Sequence, residues 1–137
     1  MYVIGFAGPA RVGKTYMTEA LSAAAINAGW EVRVIPFAKP LKDDAAAEGF
    51  TKTGDPEGYR KYCQEVGAEA RAKDPNVWLN RWLDLLKETR NNHFNNDTNN
   101  KPLLVIADDV RYENELEAIS SANGTTIFLS AGDRELE

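Results

Sequence analysis

The sequence predicts an α/β fold: a mostly parallel sheet of about four strands, covered by helices in a three-layer arrangement. Three stretches carry that prediction. An apolar run, Tyr2 to Ala7, leads directly into a glycine-containing segment and then into a helical pattern. A second strand, Glu31 to Phe37, follows so soon that the two strands must be joined by a crossover, which is right-handed and makes the pair parallel. The most apolar run, Leu103 to Ala107, has the composition of a strand buried on both faces, and it ends in Asp108-Asp109-Val110-Arg111.

The segment after the first strand reads Gly8-Pro9-Ala10-Arg11-Val12-Gly13-Lys14-Thr15, a G-x-x-x-x-G-K-T pattern. Strand, glycine loop and helix in that order predict a phosphate-binding loop and hence a P-loop NTPase fold. Glycines let the backbone turn and approach an anion, so that successive N–H groups converge on it. The helix starting near Lys14 adds the positive end of its dipole. Gly8, Pro9, Ala10, Arg11, Val12, Gly13, Lys14, Thr15 and Tyr16 are therefore expected to hold ATP, with Lys14 on the β- and γ-phosphates and the Thr15 hydroxyl on Mg²⁺.

The helix after the loop places Met17, Leu21, Ala24, Ala25 and Ala28 on one stripe, and Gly29 can end it. Helices are then expected from Pro40 to Glu48, from about 56 to 72 and from about 75 to 90, the last two opened by Asp55-Pro56 and Asp74-Pro75. The third carries Trp78, Leu79, Trp82, Leu85 and Leu86 and needs an apolar partner. Asn91 to Lys101, rich in asparagine, reads as a mobile connection, with His93 in it as a solvated side chain. After the acidic end of the third strand come a helix from Glu113 to Ala122, a fourth strand from Thr125 to Ser130 and a polar tail containing Arg134. The division is one domain with core 1–38 and 102–137 and an insertion at 39–101.

A chain of 137 residues fills one domain. Its net charge of −5 argues against nucleic acid or an anionic membrane as partner. The single Cys63 allows no internal disulfide and fits a reducing cytoplasm. The first strand begins at residue 2, so no leader is expected, and no apolar run is long enough to span a bilayer. Asp55-Pro56-Glu57-Gly58 matches D-x-x-G but opens a helix, and no N-K-x-D occurs, which argues against a guanine switch protein.

A second anion site is expected on the helix from Tyr59 to Lys73. At about 100° per residue, Arg60, Gln64, Gly67 and Arg71 fall within about 60° of one another, with the glycine leaving room between them. Tyr59, Cys63, Val66 and Ala70 form the adjoining arc, expected to face the core. Guanidinium groups suit a phosphate because each donates two coplanar hydrogen bonds. The competing reading is a solvated polar face. With Arg111 at the sheet edge, two phosphate sites would share a crevice, and an aspartate there can hold magnesium.

These residues resemble the bacteriophage-type deoxynucleoside monophosphate kinases. The resemblance rests on Gly8 to Thr15, on Phe37-Ala38-Lys39-Pro40-Leu41-Lys42, on Arg60, Gln64, Gly67 and Arg71 followed by Trp78, and on Asp109-Val110-Arg111 with Asn114-Glu115. It implies transfer of the ATP γ-phosphate to a deoxynucleoside monophosphate. Arg60, Arg71 and Arg111 would contact phosphates, with Lys14, Arg71 and Arg111 acting in catalysis. Gln64 and Trp78 would hold base and sugar, Phe37 and Lys42 would line the acceptor site, and Asp109 with Thr15 would serve magnesium. Lys39 stands where an acid is often found. Such kinases continue beyond a fourth strand with a lid and an adenine-binding loop, parts that a homodimer could supply. Two rivals stay open: another small-molecule kinase of the dephospho-coenzyme A kinase kind, and a non-catalytic nucleotide-binding or ATPase module. An interaction module docking through Trp78 and Trp82 has less support, because core tryptophans explain that pattern.

Overall fold

The computed structural model describes residues 1–9, 11–95 and 100–130. Ala10 of the glycine loop, part of the asparagine-rich connection and the tail with Arg134 lie outside the described residues.

Strands β1 (Tyr2–Ala7), β2 (Glu31–Val34), β3 (Leu103–Val110) and β4 (Thr125–Phe128) form one all-parallel sheet in the order β2-β3-β1-β4. Helix α1 (Lys14–Asn27) carries the chain from β1 over β3 to β2, and α5 (Glu113–Ser121) carries it from β3 over β1 to β4. The two connections leave adjacent strands in opposite directions. The C-terminal ends of β1 and β3 therefore flank a topological switch point, where an open α/β sheet leaves a crevice for ligands.

Alternation along the strands sorts the core into two layers. Val3, Leu103, Val105, Ala107 and Val110 face Ile119 of α5 and Trp82 and Leu86 of α4 (Val77–Phe94). On the other face Phe6, Leu104 and Ile106 pack with Leu21, Ala25 and Trp30. The apolar stripe expected on α1 is thus only partly used. Leu21 and Ala25 meet the sheet, but Met17 is exposed and the buried residue of the first turns is Thr18, whose Oγ1 donates to Lys14 O at 2.8 Å. That internal bond lets a hydroxyl turn toward the sheet in place of the thioether.

The insertion is built from α2 (Lys39–Ala47), α3 (Pro56–Lys73) and α4. Asp55 caps α3 as expected, its carboxylate accepting from Gly58 N at 3.0 Å. Asp74 does not cap α4. It accepts from Asn76 N at 3.0 Å in a tight turn, and the helix begins at Val77. The far end of α4 departs further from expectation. Asn91 to Phe94 are helical, and His93 is buried rather than solvated. Its Nε2 lies 2.6 Å from the carbonyl oxygen of Lys101, and its Nδ1 lies 2.6 Å from Glu31 Oε2 without hydrogen-bond geometry. These two contacts offset the propensity of asparagine to break a helix.

Trp82 joins the insertion to the core: it is fully buried, stacks on Phe37 with ring centroids 4.2 Å apart, and donates from Nε1 to Ile35 O at 2.8 Å. Helix α4 is thereby a layer of the sheet domain itself. Helix α3 lies farther out, and only Gly67 on it is buried, so Tyr59, Cys63, Val66 and Ala70 do not reach the core. The room expected beside Gly67 is taken. A methyl group there would meet Leu41 Cδ2 at 2.9 Å, and Trp78 Nε1 donates to Gly67 O at 3.3 Å. The glycine brings α2 and α4 close to α3 instead of opening space between the arginines.

Candidate functional site

Two features meet at the switch point. The first is the glycine loop, which enters α1 through an uncommon backbone. Gly8 has φ 148°, Gly13 has φ 105°, and Arg11 between them has φ 65°. Gly13 is the N-cap of α1, and no side chain caps the helix. The N–H groups of its first turn are those a helix leaves without intrahelical partners, at the positive end of the dipole. Thr15 and Tyr16 are exposed on that turn. Lys14 folds back, its Nζ donating to Gly8 O at 2.8 Å, so its charge sits over the loop.

The second feature is a cavity of about 700 Å³ bounded by α2, α3, the start of α4 and the end of β3. Phe37, Lys42, Arg60, Gln64, Arg71, Trp78, Asp109 and Arg111 all line it, so every residue expected to bind an acceptor comes to one place. Sequence reasoning missed further lining residues, among them Lys52, Glu57, Tyr59, Cys63, Tyr112 and Glu115. None of Lys42, Lys52, Arg60, Arg71 and Arg111 forms an ion pair with a described carboxylate, whereas Arg33, Lys39, Lys73 and Arg81 all do. Arg71 lies over the Tyr112 ring, 4.8 Å from its centroid, a contact that orients the guanidinium without neutralising it. Burial, with some help from Cys63, pushes the Tyr59 hydroxyl above its ordinary pKa.

The end of β3 connects the two features. Its pairing with β1 runs Gly5↔Ala107 and then Ala7↔Val110, so β3 holds one extra residue in this interval. Such a bulge re-aims the side chains within it. Asp109 turns toward the segment after β2, where Oδ1 accepts from Phe37 N at 2.7 Å and Oδ2 from Ala38 N at 3.0 Å. Asp108, half-buried, is the carboxylate within electrostatic reach of both Lys42 of the cavity and Lys14 of the glycine loop. Burial chiefly, and then the neighbouring Asp109 charge, raise its pKa, while the two lysines pull it back.

The segment after β3 is fastened at both ends. Glu115 Oε1 accepts from the backbone N–H groups of Arg111 and Tyr112 at 2.8 and 3.0 Å, which fixes the turn that presents Arg111. Burial raises the Glu115 pKa, and these two N–H groups oppose the rise. Asn114 Nδ2 donates to Pro75 O at 3.3 Å and Asn76 Oδ1 at 3.0 Å, which ties α5 to the α3–α4 turn. Across the insertion Arg81 makes a two-pronged bond to Asp44, at 2.5 and 2.8 Å, and that hydrogen bonding holds the Asp44 pKa below its ordinary value.

Among the described residues no group of three or more His, Cys, Asp or Glu side chains could hold a metal ion unaided, and no helix is long and apolar enough to cross a membrane. No family model matches the chain, and a search of curated proteins likewise found no match.

Proposed function

We propose that the chain is a kinase that transfers the γ-phosphate of ATP to a deoxynucleoside monophosphate. The observation that carries this reading is the convergence of eight residues, selected from the sequence for the acceptor and its magnesium, on one cavity whose cations form no ion pair with a described carboxylate. Aromatic Phe37 and Trp78 offer apolar surface for a base, and Arg60, Arg71 and Arg111 offer paired N–H donors for phosphate oxygens. The glycine loop supports ATP binding through its left-handed backbone, its uncapped helix start and Lys14.

In this reading the triphosphate lies along the loop, and Lys14 leaves the Gly8 carbonyl for the β- and γ-phosphates. An oxygen of the acceptor phosphate attacks the γ-phosphorus in line, the bond from that phosphorus to the bridging oxygen breaks, and ADP leaves with the electron pair. The acceptor is already an anion, so no general base is needed. Arg71 and Arg111 hold the acceptor phosphate and offset charge on the transferring group. A magnesium ion, when bound, would supply neutralising charge to the phosphates. The hydroxyl of Thr15 and a carboxylate at the end of β3 are hard oxygen donors that fit it, because magnesium is commonly held by one or two carboxylates together with substrate phosphates and water.

The test is release of ADP from Mg-ATP in the presence of each of the four deoxynucleoside monophosphates, for the wild type and for Arg71→Ala. Turnover with at least one monophosphate, lost in the variant, is expected. ADP release that ignores all four would overturn the acceptor assignment, and absence of ATP binding would overturn the reading altogether.

A further inference from the structure

We propose that Asp109 is a positioning residue that fastens the β2–α2 segment, and with it one wall of the acceptor cavity, to the end of β3. The proposal rests on the kinase reading for its account of the cavity, but its central claim concerns this chain without any ligand. Both Asp109 oxygens accept backbone N–H groups, from Phe37 at 2.7 Å and from Ala38 at 3.0 Å. Those two residues are the second half of the four-residue link, 35–38, that leads from β2 into α2. Phe37 is buried against Trp82, and α2 carries Leu41 and Lys42 on the cavity wall. One carboxylate therefore sets the position of Phe37 and of the first turn of α2 relative to β3.

The bulge makes this placement of Asp109 possible. In an unbroken strand, residues 108 and 109 would point to opposite faces of the sheet, and residue 109 would share the layer of Ala107. Here Ala107 and Val110 both join the same apolar layer, and the two aspartates occupy the interval between them. Asp109 is drawn to the amides of the β2–α2 segment. Asp108 lies within electrostatic reach of Lys14 and Lys42. A carboxylate whose oxygens already accept two charge-assisted bonds has less capacity for a cation than its neighbour does.

The experiment compares Asp109→Asn with Asp108→Asn, both near-isosteric. In Asp109→Asn one amide oxygen can still accept, but the NH₂ group faces a second N–H donor, so one bond is lost and replaced by donor–donor opposition. Backbone amide exchange is measured first, in metal-free buffer without nucleotide. Asp109→Asn is expected to speed exchange at Phe37 and Ala38 by about tenfold or more, with Asp108→Asn unchanged there. Near-ultraviolet circular dichroism of the tryptophans verifies that each variant is folded, and Asp109→Ser, which keeps one acceptor, serves if Asp109→Asn is not. Unchanged exchange in the Asp109 variants overturns this role, whatever the wild type does with nucleotides.

The second arm titrates magnesium and acceptor separately. Asp109→Asn is expected to raise the KM of the acceptor monophosphate by about tenfold with the magnesium midpoint for ATP binding unmoved. A magnesium midpoint that moves only in Asp109→Asn overturns the assignment. Should the wild type bind none of the four monophosphates, the kinase reading falls, and the exchange measurement alone decides the role of Asp109.

Discussion

Gly8 and Gly13 bound the same loop and both have positive φ, yet substituting them should have unequal effects. At Gly8, φ 148° is joined by a steric conflict: a methyl group would stand 2.6 Å from the carbonyl oxygen of Leu129 and 3.1 Å from Val12 Cγ1. The oxygen belongs to backbone that cannot swing aside, because Leu129 N donates to Ala7 O at 2.8 Å and so fastens the segment after β4 to the end of β1. Backbone strain of about 1–3 kcal/mol and overpacking of about 1–3 kcal/mol place Gly8→Ala near 3 kcal/mol of destabilisation. At Gly13, φ 105° is strained for alanine, but nothing lies within 4 Å of the added methyl. Left-handed strain of about 1–2 kcal/mol is then the whole effect. In a domain of this size those values translate to roughly 10 °C and roughly 5 °C in Tm. Urea denaturation of the two variants, followed by far-ultraviolet circular dichroism, measures the difference. Equal losses, or a Gly8→Ala variant within about 0.5 kcal/mol of wild type, would refute the steric argument. ATP affinity adds a contrast. Gly13→Ala should keep its fold and still lose ATP affinity, because the methyl occupies space that is open beside the uncapped start of α1.

Two further outcomes follow from the packing and the titrating groups. Trp82→Phe keeps an aromatic ring against Phe37 but leaves the Ile35 carbonyl without its indole donor and opens a void. A loss of about 2–4 kcal/mol is expected in urea denaturation, with the acceptor KM rising because Phe37 loses its stacking partner. Glu115 has a folded pKa above its ordinary value, so the folded state binds more protons than the unfolded state in the window between them. Its contribution to stability is therefore greatest below the unfolded pKa and is lost as pH rises through the folded pKa. Glu115→Gln, which retains an acceptor for the Arg111 and Tyr112 amides, should flatten the decline in stability just above the ordinary carboxylate range. Thermal denaturation of both proteins across that range measures it.

Most of the sheet was legible because apolar alternation and crossover length constrain parallel strands strongly. These cavity-lining side chains were legible because charge type and helical spacing put Arg60, Gln64 and Arg71 on one face of α3, which does line the cavity. What failed was information held outside each segment. His93 and the asparagines around it have loop composition, and the contacts that His93 makes with Glu31 and Lys101 in the fold lie outside that segment's local pattern. Gly67 looks like space on a helical wheel, but the wheel contains neither Leu41 nor Trp78. Asp108 and Asp109 are chemically identical in the sequence, and the extra residue in β3 that separates their surroundings is invisible until β1 lies beside it. Tyr112 and Glu115 were missed because an aromatic next to a helix start and an acid in its first turn have ordinary local explanations.

The two tryptophans of α4 sit one turn apart, with Trp78 on the cavity and Trp82 in the dry core beneath the sheet. Mechanically this makes α4 an anvil: its cavity face cannot shift without dragging an indole through close-packed side chains. Helix α3, with Gly67 as its one buried residue, is the jaw. The less buried side of the cavity is therefore the one that carries Arg60, Gln64 and Arg71, and on the proposed reading adjustment to a bound phosphate would fall to it rather than to the aromatic wall.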